Sequence, residues 1–167
     1  NYFVPTLNII WQIIKSHNID PDPIFNSYGL QYKALQDPNR RCHAHLEVAL
    51  WDHANNVINQ PGIGLTAGNY WHPSLLGSLG YAWLASETLH DALDRFSRFS
   101  HIVTNVYKIE VAEQQDKLLT RVSYVKHNPA FYIRSEALIA FILSMCRANY
   151  GPHLIPSSVY FMHPEPD

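Results

Sequence analysis

Apolar residues recur three and four apart over the first part of the chain. Leu7, Ile10, Trp11 and Ile14 keep helical spacing, and Ile9 and Ile13 widen the stripe. Pro5 suits the first turn, and Asn18 and Pro21 end the helix. Residues 21–43 are rich in turn signals, with a short helix predicted near Pro23–Tyr28. A second helix is predicted over 44–58. Its apolar stripe is Leu46, Ala49, Leu50, His53, Ala54 and Val57, with Trp51, Asp52, Asn55 and Asn56 facing away. Pro61-Gly62 breaks it. Pro73 opens a third helix over 73–84, apolar nearly all round, with Gly77 and Gly80 three apart. Glycine inside a helix costs up to about 1 kcal/mol against alanine. The pair therefore implies that something packs close to the backbone. Thr88-Leu89-His90-Asp91 reads as a capping box, with Asp in place of Glu or Gln. Behind it Leu89, Ala92, Leu93, Phe96, Phe99 and Val103 form a buried stripe. Asp91 and Arg95 have the spacing of an i,i+4 ion pair.

The period then changes from 3.6 to 2. Asn105, Tyr107, Ile109 and Val111 share one face of 104–112, and Leu118, Thr120, Val122 and Tyr124 share one face of 118–126. Gln114-Gln115-Asp116 supplies the turn of an antiparallel hairpin, and Pro129 stops the second strand. A helix over 131–149 follows, with Ala137, Leu138, Phe141, Ile142, Met145 and Ala148 on its main stripe. Gly151 and Pro152 close it. Ser158 to His163 reads as a last strand that would join the hairpin. The expected class is α+β: an N-terminal helical part, then β-β-α-β with a small, mostly antiparallel sheet.

Composition narrows the functional classes. The chain has 167 residues, 47% hydrophobic and 16% charged, against about 25% charged in ordinary globular chains. That excludes a solvating or disordered segment and fits one domain over 1–167. Twelve basic and fourteen acidic side chains give a net charge of −2. Nucleic-acid surfaces carry a basic excess, so this segment is not expected to grip DNA. No apolar run reaches the ~18 residues that span a bilayer, so no membrane association is expected. The start lacks a basic signal-peptide region, and cytoplasmic residence is expected. The chain begins without Met and stops soon after a strand-like run, as a segment truncated at its C-terminus would.

No catalytic constellation emerges. His43-Ala44-His45 places two imidazoles two apart, which on a helix do not share a face. There is no His-Glu-x-x-His, Cys-x-x-Cys or Gly-x-Ser-x-Gly. Gly62-Ile63-Gly64 lacks the strand and lysine of a phosphate loop. No metal or cofactor is expected. Cys146 lies mid-helix in apolar company, which raises a thiol pKa; Cys42 follows Arg40-Arg41, which could lower one. Glu136 falls in the first turn of its helix, where it would complement the dipole. What remains is a mixture of rings with polar tips, the usual lining of a small-molecule pocket. His53, Trp71, His72, Trp83, Tyr107 and Tyr124 are the candidate ligand-binding residues.

The run Leu75-Leu76-Gly77-Ser78-Leu79-Gly80-Tyr81-Ala82-Trp83-Leu84-Ala85-Ser86-Glu87-Thr88-Leu89-His90-Asp91-Ala92-Leu93-Asp94-Arg95-Phe96 resembles the N-terminal, arabinose-binding-like regulatory domain of AraC/XylS-type bacterial transcription regulators. Pro61-Gly62-Ile63-Gly64-Leu65 and Val159-Tyr160-Phe161-Met162-His163-Pro164 resemble its flanking signatures. The resemblance implies a sensor or dimerisation domain that takes a small-molecule effector and forms a homodimer. It also implies that DNA is bound only through a C-terminal helix-turn-helix domain outside these residues. Two alternatives stand beside it. One is a small histidine-centred enzyme using His53 with His72 or His101. The other is a dimerisation module without a ligand.

Overall fold

The computed structural model describes residues 1–125 and 131–163. Strand β1 (Tyr2–Phe3) leads through a 3-10 turn (Val4–Leu7) into α1 (Asn8–Ser16). Next come α2 (Pro21–Ser27), a 3-10 turn (Tyr32–Gln36), β2 (Arg41–Cys42) and α3 (Ala44–Ile58). Two 3-10 segments (Ile63–Tyr70 and Pro73–Leu76) precede α4 (Ser78–Leu84) and α5 (Leu89–Phe99). A short 3-10 turn (Ser100–Ile102) leads to β3 (Tyr107–Gln114) and β4 (Lys117–Tyr124), and α6 (Phe131–Tyr150) follows. The α+β class holds.

The local signals explain most boundaries. Asp20 accepts from the Asp22 backbone N–H at 3.0 Å, and Pro21 starts α2. Thr88 Oγ1 accepts from the Asp91 N–H at 3.1 Å and donates to the Asp91 carboxylate at 2.6 Å, so the N-cap half of the box forms while the carboxylate is taken by the Thr88 hydroxyl. Gln115 and Asp116 both take left-handed φ, 47° and 64°, as a two-residue turn of a right-twisted hairpin demands. The hairpin runs in register from Tyr107↔Tyr124 to Gln114↔Lys117. Ser97 on α5 donates to the Ile109 carbonyl at 2.7 Å and ties β3 to the helices.

Several expectations are corrected. The third predicted helix is broken at Gly77, whose φ of +59° and ψ of −138° suit only glycine. Gly80 is the true close approach: a Cβ there would lie 2.0 Å from the Pro73 carbonyl oxygen. On α3 the buried face is Glu47, Leu50, Trp51, Ala54 and Ile58, with Val57 exposed. Burial of one large ring, Trp51, turns the helix by about one residue from its purely apolar stripe. Arg95 reaches back to the Ala82 carbonyl (2.8 Å) and Ser86 (3.1 Å), closing the end of α4, so it does not pair with Asp91. The i,i+4 pair is Asp94–Arg98 instead. Phe99 is exposed rather than buried.

The last strand does not form. Residues 158–163 are irregular, and Tyr160 and Met162 are exposed. Gly151 (φ +102°) turns the chain, and the tail runs back beside α6. Arg147 Nε donates to the Leu154 carbonyl at 3.1 Å, and His163 reaches Tyr132 and Glu136. Those contacts hold the tail on α6, away from the hairpin. In place of one sheet there are two antiparallel pairs, β1–β2 and β3–β4. The expected stop at Pro129 lies outside the described residues.

A second close backbone approach carries no signal that the sequence reading used. Segment Ile63–Tyr70 lies against α6, and a Cβ on Gly64 would stand 2.3 Å from the Ile133 carbonyl oxygen. A Cβ on Gly68 would stand 2.8 Å from that of Ala140. Backbone cannot yield as a flexible side chain does. Gly64→Ala and Gly68→Ala should each cost about 2–3 kcal/mol, at the upper end of overpacking. Gly29→Ala, with open space but φ +71°, should cost only about 1–2 kcal/mol. Urea midpoints of the three variants check the order, and equal losses would refute the backbone-contact account.

Candidate functional site

The polar centre of the molecule is built from α3 and α6. Position 47 shares the buried face of α3 with Leu50, Trp51 and Ala54, because residues three, four and seven apart lie on one side of a helix. Position 134 shares the inner face of α6 with Ala137, Leu138 and Phe141. A glutamate and an arginine therefore meet inside the core. Arg134 Nε donates to Glu47 Oε1 at 2.8 Å, and Arg134 Nη2 lies 2.7 Å from Glu47 Oε2. The first contact is a charge-assisted hydrogen bond; the second is a close ion-pair contact that lacks hydrogen-bond alignment. Both side chains are almost wholly enclosed, 2% and 5% exposed.

Rings surround the pair. The Arg134 guanidinium lies over the Tyr124 ring, 4.6 Å from its centroid. Tyr107 meets Tyr124 edge-on at 6.1 Å, across the first register pair of the hairpin. Trp51, one turn along α3, lies beside Glu47 and favours its charged form. Tyr2 on β1 is buried and lies within the field of the same carboxylate. Four separate pieces of chain thus converge on one ion pair: β1, α3, the hairpin and α6.

Burial dominates the electrostatics. It pushes the Glu47 carboxyl above its ordinary range, and Arg134 only partly offsets this. Burial also works against the Arg134 charge, but Glu47 outweighs it and holds the guanidinium above its usual value. Desolvation, with the Glu47 charge added, raises the Tyr2 and Tyr107 phenols; desolvation raises Tyr124 too, against the pull of Arg134. All three stay protonated at neutral pH. Burial and then Glu47 raise the Cys42 thiol, so the neighbouring arginines do not activate it. Burial pushes Cys146 up to about 11. Neither cysteine is disulfide-bonded.

The candidate residues are distributed unevenly. Tyr107 and Tyr124 are brought together at this centre. Trp83 is buried; its Nε1 donates to the Met145 carbonyl at 3.0 Å, and Phe96 meets it edge-on at 5.8 Å. His53 is half-buried, with Nδ1 3.3 Å from the Tyr28 hydroxyl. His72 is exposed and accepts from the Ser74 N–H as a cap at 3.3 Å. Trp71 is half-buried, and its indole N–H has no partner among the described residues. His101 lies 3.0 Å from the Arg98 carbonyl and takes no part in a group with His53. His43 and His45 stack at 5.6 Å. Among the described residues, no three metal-binding side chains converge. Glu136 is not a free dipole partner. It is buried, packs against the Gly64 backbone, which favours its charged form, and lies 3.8 Å from His163.

Glu47, Arg134 and Tyr2 were not singled out from the sequence. The signal was present for Glu47: it lies three, four, seven and eleven positions before Leu50, Trp51, Ala54 and Ile58. Reading only apolar residues into the stripe hid it.

Two predictions follow from the ion pair. Arg134→Met leaves a buried, unpaired carboxylate and should cost about 3–5 kcal/mol, whereas Glu47→Leu with Arg134→Met should recover most of that loss. Urea unfolding of the single and double variants checks it; equal losses would refute it. The second concerns pH. Because the folded carboxyl titrates above the unfolded one, its contribution to stability is complete below the unfolded pKa and is lost as pH rises through the folded value. Wild type should therefore gain stability relative to Glu47→Gln as pH falls from neutral toward about 4.5. A difference that stays constant with pH, measured by chemical denaturation, would contradict this.

Comparisons with known proteins bear on the whole arrangement. The ornithine utilization regulator of Pseudomonas aeruginosa is 23% identical over 155 residues, covering 92% of this chain and 46% of the relative. The chain thus spans less than half the length of that curated relative. The family model described as the arabinose-binding domain of AraC transcription regulators, N-terminal, matches residues 19–167. That span takes in α2 to α6, both residues of the buried pair and the two hairpin tyrosines. By that match the chain belongs to the family of N-terminal arabinose-binding domains of AraC transcription regulators.

Proposed function

We infer that this regulatory domain senses a small effector, forms a homodimer, and passes its state to a DNA-binding domain elsewhere in a cytoplasmic regulator. The observation that carries the reading is the buried Glu47–Arg134 pair, ringed by Tyr2, Tyr107 and Tyr124, in a domain of this family. A buried ion pair contributes little net stability, and its best-attested use is to fix one arrangement among alternatives. Here it joins four segments, so a ligand that favours one arrangement of them shifts the whole domain. The 167 residues act as one sensing unit, with Tyr107 and Tyr124 in the responsive cluster and the orphan Trp71 N–H open to a ligand. Catalysis plays no part in this reading. The charge of −2 supports leaving DNA contact to a helix-turn-helix domain. No helix among the described residues is long and apolar enough to cross a membrane.

The test uses the full-length regulator and its own promoter. Thermal-shift screening covers amino acids, sugars and fatty acids, with amino acids first because a relative is named for ornithine utilization. A ligand at a hundred times its Kd that binds only the folded state adds about 2.7 kcal/mol. The same compound should change promoter affinity several-fold in a gel shift. A full-length protein that never binds its promoter would sink the regulatory reading. Promoter binding that no compound alters would leave a dimerisation module in its place.

A further inference from the structure

A second feature lies on the other side of the β1–β2 ladder. Phe3 pairs with Arg41, and Tyr2 pairs with Cys42. Successive residues of a strand point to opposite faces. Tyr2 and Cys42 lie toward the Glu47 carboxylate, which raises both of their pKa values. Phe3 and Arg41 line a half-open cavity of about 80 Å³ on the opposite side, together with Pro38, Leu76, Ser78, Ile102 and Val103.

Arg41 is held in place within this cavity. Its guanidinium stacks over the Phe3 ring, 4.7 Å from the centroid. Nη1 donates to the Ile102 carbonyl and lies 3.5 Å from that of Val103. No carboxylate lies within salt-bridge distance of it among the described residues. A guanidinium has five donors, and most of these remain uncommitted. A stacked and tethered guanidinium loses little freedom when it binds an anion.

We propose that this cavity binds a short aliphatic monocarboxylate, with its carboxylate on Arg41 and its alkyl part against Phe3, Leu76, Ile102 and Val103. The volume sets the size. A cavity of ~150 Å³ admits benzene, so this one encloses about three heavy atoms, the carbons of a short chain whose two carboxylate oxygens stay at the mouth on the exposed Arg41. A single exposed cation at the mouth, beside the Phe3, Leu76, Ile102 and Val103 side chains, matches a single negative charge. A phosphate dianion would leave charge uncompensated there. The site touches the same two-residue ladder that covers the buried ion pair. Occupancy on the Phe3–Arg41 side is therefore felt on the Tyr2–Cys42 side. As a signal this rests on the sensing reading above; as a binding site it stands without it.

The experiment titrates the intact protein with sodium propionate against sodium chloride at equal ionic strength, by calorimetry and thermal shift. Propionamide serves as the neutral isostere. Propionate should bind and propionamide should not. Arg41→Gln should weaken propionate about tenfold or more, the loss of one charge-assisted contact. Arg40→Gln, the same charge change next door, should leave it within about twofold. Ile102→Trp fills the cavity from its exposed side and should exclude propionate with Arg41 intact, which covers the case of an unfolded Arg41 variant. Equal binding of propionamide, equal effects of the two arginine variants, or undiminished binding to Ile102→Trp would each overturn the proposal, as would no binding at millimolar propionate. Binding through Arg41 that leaves promoter affinity unchanged would uphold the site and count against the sensing reading.

Discussion

The interaction on which the rest depends is the contact between Glu47 and Arg134. Both are enclosed, and isolated charges in such a place cost several kcal/mol each. The pair is tolerable only because the opposite charges meet at close range, with one hydrogen bond at 2.8 Å and a second contact at 2.7 Å, and because Trp51 lies beside the carboxylate and favours its charged form. This sets a strict geometric condition. α3 and α6 lie far apart in sequence, yet they have to present these two side chains in direct contact. Tyr124 covers the guanidinium, and Tyr107 braces Tyr124 through the hairpin register. A sliding of the hairpin by one residue would turn both tyrosines to the opposite face and uncover the pair.

The helices can meet that condition because α6 is fixed on its other side by backbone contact. Gly64 and Gly68 let the 3-10 segment Ile63–Tyr70 lie directly on α6. Glu136, two residues from Arg134, packs against Gly64 as well. Further along, Trp83 donates to the Met145 carbonyl and Asn149 Nδ2 donates to the Trp83 carbonyl at 2.9 Å. These two bonds tie α4 to the end of α6. The helix is thus held at three levels by groups that cannot rotate away, and Arg134 is delivered to a fixed point.

Much of this was legible in the chain before any coordinates. The Thr88 cap, the hairpin and the long sixth helix all followed from short-range chemistry, which does not depend on the rest of the fold; the turn itself is shorter than Gln114-Gln115-Asp116, because Gln114 pairs with Lys117. The failures have a common cause. Ser158–His163 has the β-branched and aromatic content of a strand, but strand formation needs an edge within reach. The contacts of Leu154 and His163 with α6 hold the tail elsewhere. The stripe of α3 was misplaced because a buried glutamate counts as polar until its partner, 87 positions away, is known. Of the six candidate ligand residues, only Tyr107 and Tyr124 fall at the polar centre. The others were selected for ring chemistry alone, and Trp83 shows how readily a buried ring with a polar tip is satisfied by a backbone carbonyl.

The same two-residue ladder links the two features of functional interest. Alternation along β1 puts Phe3 at the Arg41 cavity and Tyr2 at the buried pair. β1 is only two residues long, with one backbone bond from Phe3 N–H to the Val103 carbonyl at 2.9 Å and a bridge from Tyr2 to Thr104. So short a ladder has little stiffness of its own. Its position is set by what packs on its two faces, and both faces carry charge. A ligand gains influence over the domain only to the extent that it binds one placement of this ladder better than another. The buried ion pair makes those placements unequal in energy, because any shift that parts Glu47 from Arg134 leaves two charges unpaired in the core.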